Sequence, residues 1–141
     1  MKIDPFFYEY NLKNNLENIN IIFLYGTNIG LVDLLYKKTL ELLKIDTNDP
    51  FSVSKIDGDE FKDNPSILHD NINTLNVFSE RRFILLDLMH ISINKSLEGI
   101  ILETVKIKNN SYLLIIKASN LKIDSFIKHF QNIDNAILVP C

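Results

Sequence analysis

Ile21-Ile22-Phe23-Leu24-Tyr25-Gly26-Thr27-Asn28-Ile29-Gly30-Leu31-Val32-Asp33-Leu34-Leu35 is the stretch that decides the fold of this chain. Its first five residues are β-branched, aromatic or aliphatic without interruption, and a run so short and so uniformly apolar reads as a strand buried on both faces. Gly26 and Gly30 bracket a polar turn. From Gly30 to Lys44 the apolar spacing becomes helical, with Leu31, Leu34, Leu35, Leu42 and Leu43 near one stripe and Asp33 toward the positive end of the helix dipole. Strand, glycine turn and helix in that order open a βαβ unit.

The same alternation continues to the end of the chain. Four more short apolar runs read as strands: Phe51–Ile56, Arg82–Asp87, Tyr112–Lys117 and Ala136–Val139. A second helix is expected from Asp63-Asn64-Pro65, where a capping side chain precedes a proline suited to the first turn, to about Leu75, with Ile67, Leu68, Ile72 and Leu75 toward the sheet. The third follows Asn94 and carries Leu97, Ile100, Ile101, Thr104 and Val105 at helical spacing before a turn at Asn109-Asn110, and the fourth spans Ile123–Gln131. Parallel strands joined by right-handed helical crossovers predict a three-layer α/β/α sandwich around a mainly parallel five-stranded sheet. Phe6, Phe7, Tyr8 and Tyr10 lie ahead of the first strand and are expected to add a helix or cover. No internal repeat, low-complexity tract or linker composition interrupts 1–141, so one domain is expected.

Composition excludes several functions. A net charge of −3 over 141 residues leaves no clustered Lys and Arg for counterion release on DNA, which argues against direct nucleic-acid binding by this chain alone. No apolar run approaches the ~20 residues of a membrane span, and the start lacks a signal-peptide core, so a cytoplasmic location and no membrane contact are expected. A single cysteine, Cys141, allows no internal disulfide and no cysteine metal cage.

The turn after the first strand sits where nucleotide-binding folds hold phosphate. A working loop reads G-x-x-x-x-G-K-[ST]. Here Gly30 comes one position early, and Leu31 and Val32 stand where Lys and Ser or Thr are needed, so nothing remains to hold the β- and γ-phosphates or Mg²⁺. The expectation is a degenerate loop in which Gly26 and Gly30 serve the turn, with no cofactor, metal or catalytic residue. Phe83-Ile84-Leu85-Leu86-Asp87 ends like an Mg²⁺-binding strand, but Leu88 replaces the glutamate that would activate water, and a solvated strand-end aspartate is expected. His69, His90 and His129 fall on different elements with no metal-ligand spacing and read as surface residues. A phospho-receiver domain shares the architecture but needs paired acids after its first strand, and Tyr25-Gly26-Thr27 has none. The remaining feature is Thr74-Leu75-Asn76-Val77-Phe78-Ser79-Glu80-Arg81-Arg82, a polar loop interrupted by two apolar side chains directly ahead of a strand. On pattern alone Val77 and Phe78 could equally be core residues closing the second helix.

Several blocks, taken in order, resemble the N-terminal domain of the delta subunit of bacterial DNA polymerase III. They are Ile22-Phe23-Leu24-Tyr25-Gly26 with Gly30-Leu31-Val32, Asp49-Pro50-Phe51 leading to Asp57-Gly58-Asp59, Leu75 through Arg82, Leu121-Lys122, and Val139-Pro140-Cys141. The glycine-leucine-valine after the first turn is similar to alphaproteobacterial members. The resemblance implies an AAA+-like, P-loop-NTPase-like fold with a decayed nucleotide site and a binding function without intrinsic enzymatic activity, the polymerase activity belonging to the holoenzyme. It also implies that Asn76, Val77 and Phe78 stand where the family presents a serine-leucine-phenylalanine wedge that enters a pocket on the sliding clamp. Leu75 would secure the helix beneath, and Arg81 and Arg82 would add rim contacts. Valine for leucine removes one methylene, about 0.8 kcal/mol of burial and about fourfold in affinity. The implied partners are the sliding clamp and, through C-terminal lid and collar domains absent from this chain, the other loader subunits, with DNA only in the assembled loader. The competing readings are a nucleotide-binding α/β domain or ATPase, and an interaction domain with no clamp partner.

Overall fold

A strand whose five residues are all at most 5% exposed, as in β1 (Ile21–Tyr25), needs strands on both edges and helices on both faces. The computed structural model, which describes residues 1–73, 81–108, 111–119 and 124–141, supplies both. β2 (Val53–Asp57), β3 (Arg82–Leu88), β4 (Tyr112–Ala118) and β5 (Ala136–Pro140) join β1 in one five-stranded sheet, all parallel, in the order β2-β3-β4-β1-β5. The expected α/β/α sandwich is the observed fold. No helix among the described residues is long and apolar enough to cross a membrane.

Alternation along the strands divides the core. Phe23, Ile84, Leu86, Leu114, Ile116 and Leu138 point to one face, where they pack with Phe61 of α3 (Gly58–Asp63), Leu68 and Ile72 of α4 (Ser66–Asn73), Leu97 and Ile101 of α5 (Lys95–Val105), and Phe130 of α6 (Asp124–Gln131). Phe23 and Phe130 stack at 5.8 Å between ring centroids and 12° between planes, a geometry that adds to simple burial. Ile22, Leu24, Leu85, Leu113, Ile115 and Val139 point to the other face, with Tyr8 and Leu12 of α1 (Tyr8–Asn15) and Val32 and Leu35 of α2 (Ile29–Leu42).

Several boundaries differ from expectation for identifiable reasons. The first helix starts at Ile29, because the Asn28 side chain accepts the Leu31 N–H at 3.1 Å and caps it there. Its buried stripe is Val32, Leu35 and Thr39, while Leu34 is 52% exposed. Asp33 lies within the helix and pairs with Lys117 Nζ at 3.4 Å, so its role is an ion pair across to β4. β2 begins at Val53, two residues later than expected, since the Asp49 carboxylate accepts the Phe51 N–H and the Ser52 hydroxyl and holds both in a turn. Asp63 closes α3 and does not open the second helix. α3 itself was hidden in the sequence, though Asp57 accepting the Glu60 N–H at 2.7 Å is a recognisable N-cap, three residues ahead of an acid. The expected helix end near Leu75 and the turn at Asn109-Asn110 lie outside the described residues.

The N-terminal segment lies along the sheet edge, Ile3 N–H donating to Leu138 O at 2.7 Å and Leu138 N–H to Met1 O at 2.8 Å. Of its four aromatic residues only Tyr8 enters the core, fully buried, whereas Phe6 is 86% and Tyr10 72% exposed. Burial pushes the Tyr8 hydroxyl well above the usual phenol range, and it is satisfied by Thr39 Oγ1 at 2.5 Å. Thr39 in turn donates to Leu35 O at 2.7 Å. Tyr8→Phe should therefore cost about 1 kcal/mol, read as a fall of about 3–4 °C in melting temperature; an unchanged melt would mean that this bond does not fasten α1 to α2.

Candidate functional site

β1 and β4 are neighbours, yet β1 leads into α2 on one face of the sheet and β4 leads toward α6 on the other. Such a divergence opens a crevice at the carboxyl ends of the two strands, the usual ligand position in open α/β sheets. The Gly26–Gly30 turn occupies that place. Gly26, Asn28 and Ile29 already spend their backbone donors within the chain. Gly26 N–H bonds Ala118 O at 3.1 Å across the crevice, Asn28 N–H bonds Cys141 O at 3.4 Å, and Ile29 N–H bonds Thr27 O at 3.1 Å. The first turn of α2 spends its Leu31 N–H on the Asn28 side chain and its Val32 N–H on Asn28 O. The N–H groups of Gly26, Asn28, Ile29, Leu31 and Val32 thus bond to the chain itself.

The two glycines are not equivalent. Gly26 has φ +151°, and a Cβ there would fall 2.2 Å from the carbonyl oxygen of Cys141, so both conformation and space demand glycine. Gly30 lies in the first turn of α2, and a Cβ would meet only Asn28 Oδ1, at 3.7 Å. The expectation that both glycines serve the turn holds for Gly26 alone. Val32, at the position of the missing Ser or Thr, is fully buried in the core, and Leu31 packs half-buried against it.

Lys117, one residue before the end of β4, is a cation at this end of the sheet, and it is committed elsewhere. Its ammonium lies 3.4 Å from Asp33 Oδ1, 3.7 Å from Asp87 Oδ2 and 4.5 Å above the Tyr36 ring. Burial, and then the Asp87 carboxylate, push the Tyr36 phenol up to about 12. Lys117, Asp87 and Tyr36, with Lys55, Ile56, Asp57 and Leu85, line a cleft of about 220 Å³ on the α2 face. Asp87 is more engaged than a solvated strand-end acid, since its Oδ1 also accepts the Met89 N–H at 3.0 Å. His69, His90 and His129 are exposed on α4, on the turn after β3 and on α6 respectively, far apart in sequence and in element.

The opposite end of the sheet, where the parallel strands begin, carries the described members of the second group of residues singled out in the sequence. Leu75, Asn76, Val77 and Phe78 lie outside the described residues, as do Leu121 and Lys122. The two arginines that follow are described, and both reach inward. Arg81 Nε donates to Tyr112 O at 3.1 Å, Nη1 to Leu16 O at 3.0 Å, and Nη2 to Ile19 O. One guanidinium thereby joins the start of β3 to β4 and to the 3-10 turn Leu16–Asn18, and its partial burial lowers its proton affinity below the ordinary arginine range. Arg82 Nη2 donates to Ser54 Oγ and, at 3.4 Å, to Asn71 Oδ1 of α4, while Nη1 reaches Phe51 O at 3.4 Å. The geometry gives both arginines a framing role at the start of β3 that the sequence did not reveal. Pairing with backbone carbonyls leaves no charge pattern to read.

No protein-family model matches the chain, and no curated protein matches it by sequence. Among solved structures it is similar to the DNA clamp loader delta protein of Bacillus subtilis (YqeN), with a TM-score of 0.68 at 16% sequence identity, over 97% of this chain and 42% of that one. The chain therefore has a clamp-loader-like fold and spans less than half the length of that protein.

Proposed function

We propose that this chain is the clamp-binding domain of a DNA polymerase III delta subunit, gripping the sliding clamp without hydrolysing ATP. The observation that carries the reading is the pairing of a clamp-loader-like fold along 97% of the chain with a first turn in which the Gly26, Asn28 and Ile29 N–H groups bond to the chain's own carbonyls and the Leu31 N–H to the Asn28 side chain. A nucleotide-driven domain needs those donors and a lysine. A binding domain needs neither.

In this reading Val77 and Phe78 supply the apolar wedge, Leu75 and Asn76 form its base, and Arg81 and Arg82 fix the strand start from which the wedge is presented. A ligand that binds the opened ring better than the closed one shifts the clamp toward opening by the difference in affinity, so the domain acts by binding alone. Assembly with other loader subunits would use domains other than this one, and DNA would be met only in that assembly. Equilibrium titration of the chain against the purified sliding clamp of the same organism tests the reading. Saturable binding is expected, and absence of binding at micromolar concentrations would remove it.

The nucleotide-binding alternative makes an opposite forecast. A ligand at 100 times its Kd stabilises the native state by about 2.7 kcal/mol, or about 8–10 °C in a domain of this size. With millimolar ATP and Mg²⁺ the melting temperature is expected to move by less than ~1 °C, and a rise of several degrees would favour the alternative.

A further inference from the structure

Asp57, Asp87 and Lys117 stand opposite one another on β2, β3 and β4. Alternation along the strands turns all three side chains to the α2 face, the face that Leu85 and Ile115 take two residues before Asp87 and Lys117. Over this row α2 places Asp33 and Tyr36, three residues apart and so neighbours on the helix surface. The Lys117 ammonium is where these groups meet, 3.4 Å from Asp33 Oδ1, 3.7 Å from Asp87 Oδ2 and 4.5 Å from the centre of the Tyr36 ring. Its side chain is 17% exposed, against 45% for each of the two carboxylates, so the cation lies deeper than the anions that hold it.

The surrounding charge makes that position consequential. The carboxylates of Asp33, Asp57 and Asp87 border this corner of the sheet together with the ammoniums of Lys55 and Lys117, and Lys55 is exposed. Asp57 and Asp87 are like charges directly opposite on neighbouring strands, an arrangement that repels. Without the Lys117 charge, Asp33 on the helix would also face Asp87 on the sheet with no cation between them. A cation held between two carboxylates and over an aromatic ring gains strength as water is excluded from it. The next residue on the same strand, Ala118, accepts the Gly26 N–H at 3.1 Å. Two successive residues of β4 therefore fasten the turn and the helix that follows it.

We propose that Lys117 is an internal counter-cation that straps α2 to the carboxyl ends of β3 and β4, so that the turn and helix are ordered by the chain's own charge and need no bound cation or phosphate to order them. The strap is independent of the clamp-binding reading and acts whichever partner the domain meets.

Melting temperatures and amide hydrogen exchange of the chain and its variants test this. Lys117→Met, which keeps the stem and loses the charge, should melt about 5 °C lower, with the α2 amides from Leu35 to Thr39 exchanging about tenfold faster. Lys117→Arg, which keeps the charge, should melt within ~2 °C of wild type. Asp33→Asn should act with opposite sign in the two backgrounds: it lowers the melting temperature where Lys117 is present, by removing a partner, and raises it in Lys117→Met, by removing a repulsion. Lost packing alone would not reverse in this way. The strap would be overturned by any of four results: Lys117→Met melting within ~1 °C of wild type, unchanged α2 exchange in that variant, Lys117→Arg melting as low as Lys117→Met, or Asp33→Asn destabilising both backgrounds.

Discussion

Gly26→Ala is expected to lower the melting temperature by about 10 °C, a large effect for one added methyl group. Two independent costs combine. The backbone at Gly26 has φ +151°, a region in which a side chain costs on the order of 1–3 kcal/mol. The new Cβ would also lie 2.2 Å from Cys141 O and 2.7 Å from Cys141 C, and these are backbone atoms that cannot rotate away. Relief requires Cys141 to retreat, giving up its N–H bond to Tyr25 O at 2.6 Å and the Asn28 N–H bond to its own carbonyl, at about 1 kcal/mol each. At its lower end the sum is about 3 kcal/mol. Gly30→Ala provides the comparison, since open space and a helical position predict an unchanged or slightly raised melting temperature. If the Gly26→Ala protein melted within ~2 °C of wild type, the turn would not be closed on Cys141 as described. The crevice would then be open to a ligand.

Whether a feature could be read in the sequence depended on whether residue identity encodes it. The strands were legible because β1, β3, β4 and β5 are buried on both faces or nearly so, and a continuous apolar run of four or five residues fits the interior of a parallel sheet better than any solvent-facing element. The departure from the phosphate-loop pattern was equally legible, because it depends on residue identity at Leu31 and Val32. Strand order was not, since nothing in a chain of βα units states that β1 inserts between β4 and β5. The hydrogen bonds that close the turn were hidden for the same reason: Gly26 to Ala118 and Asn28 to Cys141 span 92 and 113 residues of sequence and involve only backbone oxygen as acceptor. The family resemblance implied rim contacts for Arg81 and Arg82, and it said nothing of their hydrogen bonds within the chain. Carbonyl acceptors on Leu16, Ile19, Tyr112 and Phe51 leave no mark in the sequence.

Phe78→Ala is expected to weaken clamp binding by about 30- to 1000-fold, corresponding to ~2–4 kcal/mol for an aromatic anchor at an interface centre, while the melting temperature stays within ~2 °C of wild type. Both readouts are needed, because Val77 and Phe78 could also serve as core residues closing α4. A phenylalanine truncated in a core costs ~3–5 kcal/mol of folding stability, about 10–15 °C here, and the loss of binding would then be indirect. Val77→Leu separates the two roles further. A clamp pocket with room for the longer side chain gains up to about fourfold in affinity from the added methylene, whereas a packed core loses ~1–3 kcal/mol to overfilling. Arg81 makes the first outcome the expected one: its guanidinium holds three carbonyls on β4 and the N-terminal segment, so the start of β3 is fixed without help from the two apolar residues ahead of it. On the clamp-binding reading, Val77 and Phe78 are then left to commit their hydrophobic surface to the partner.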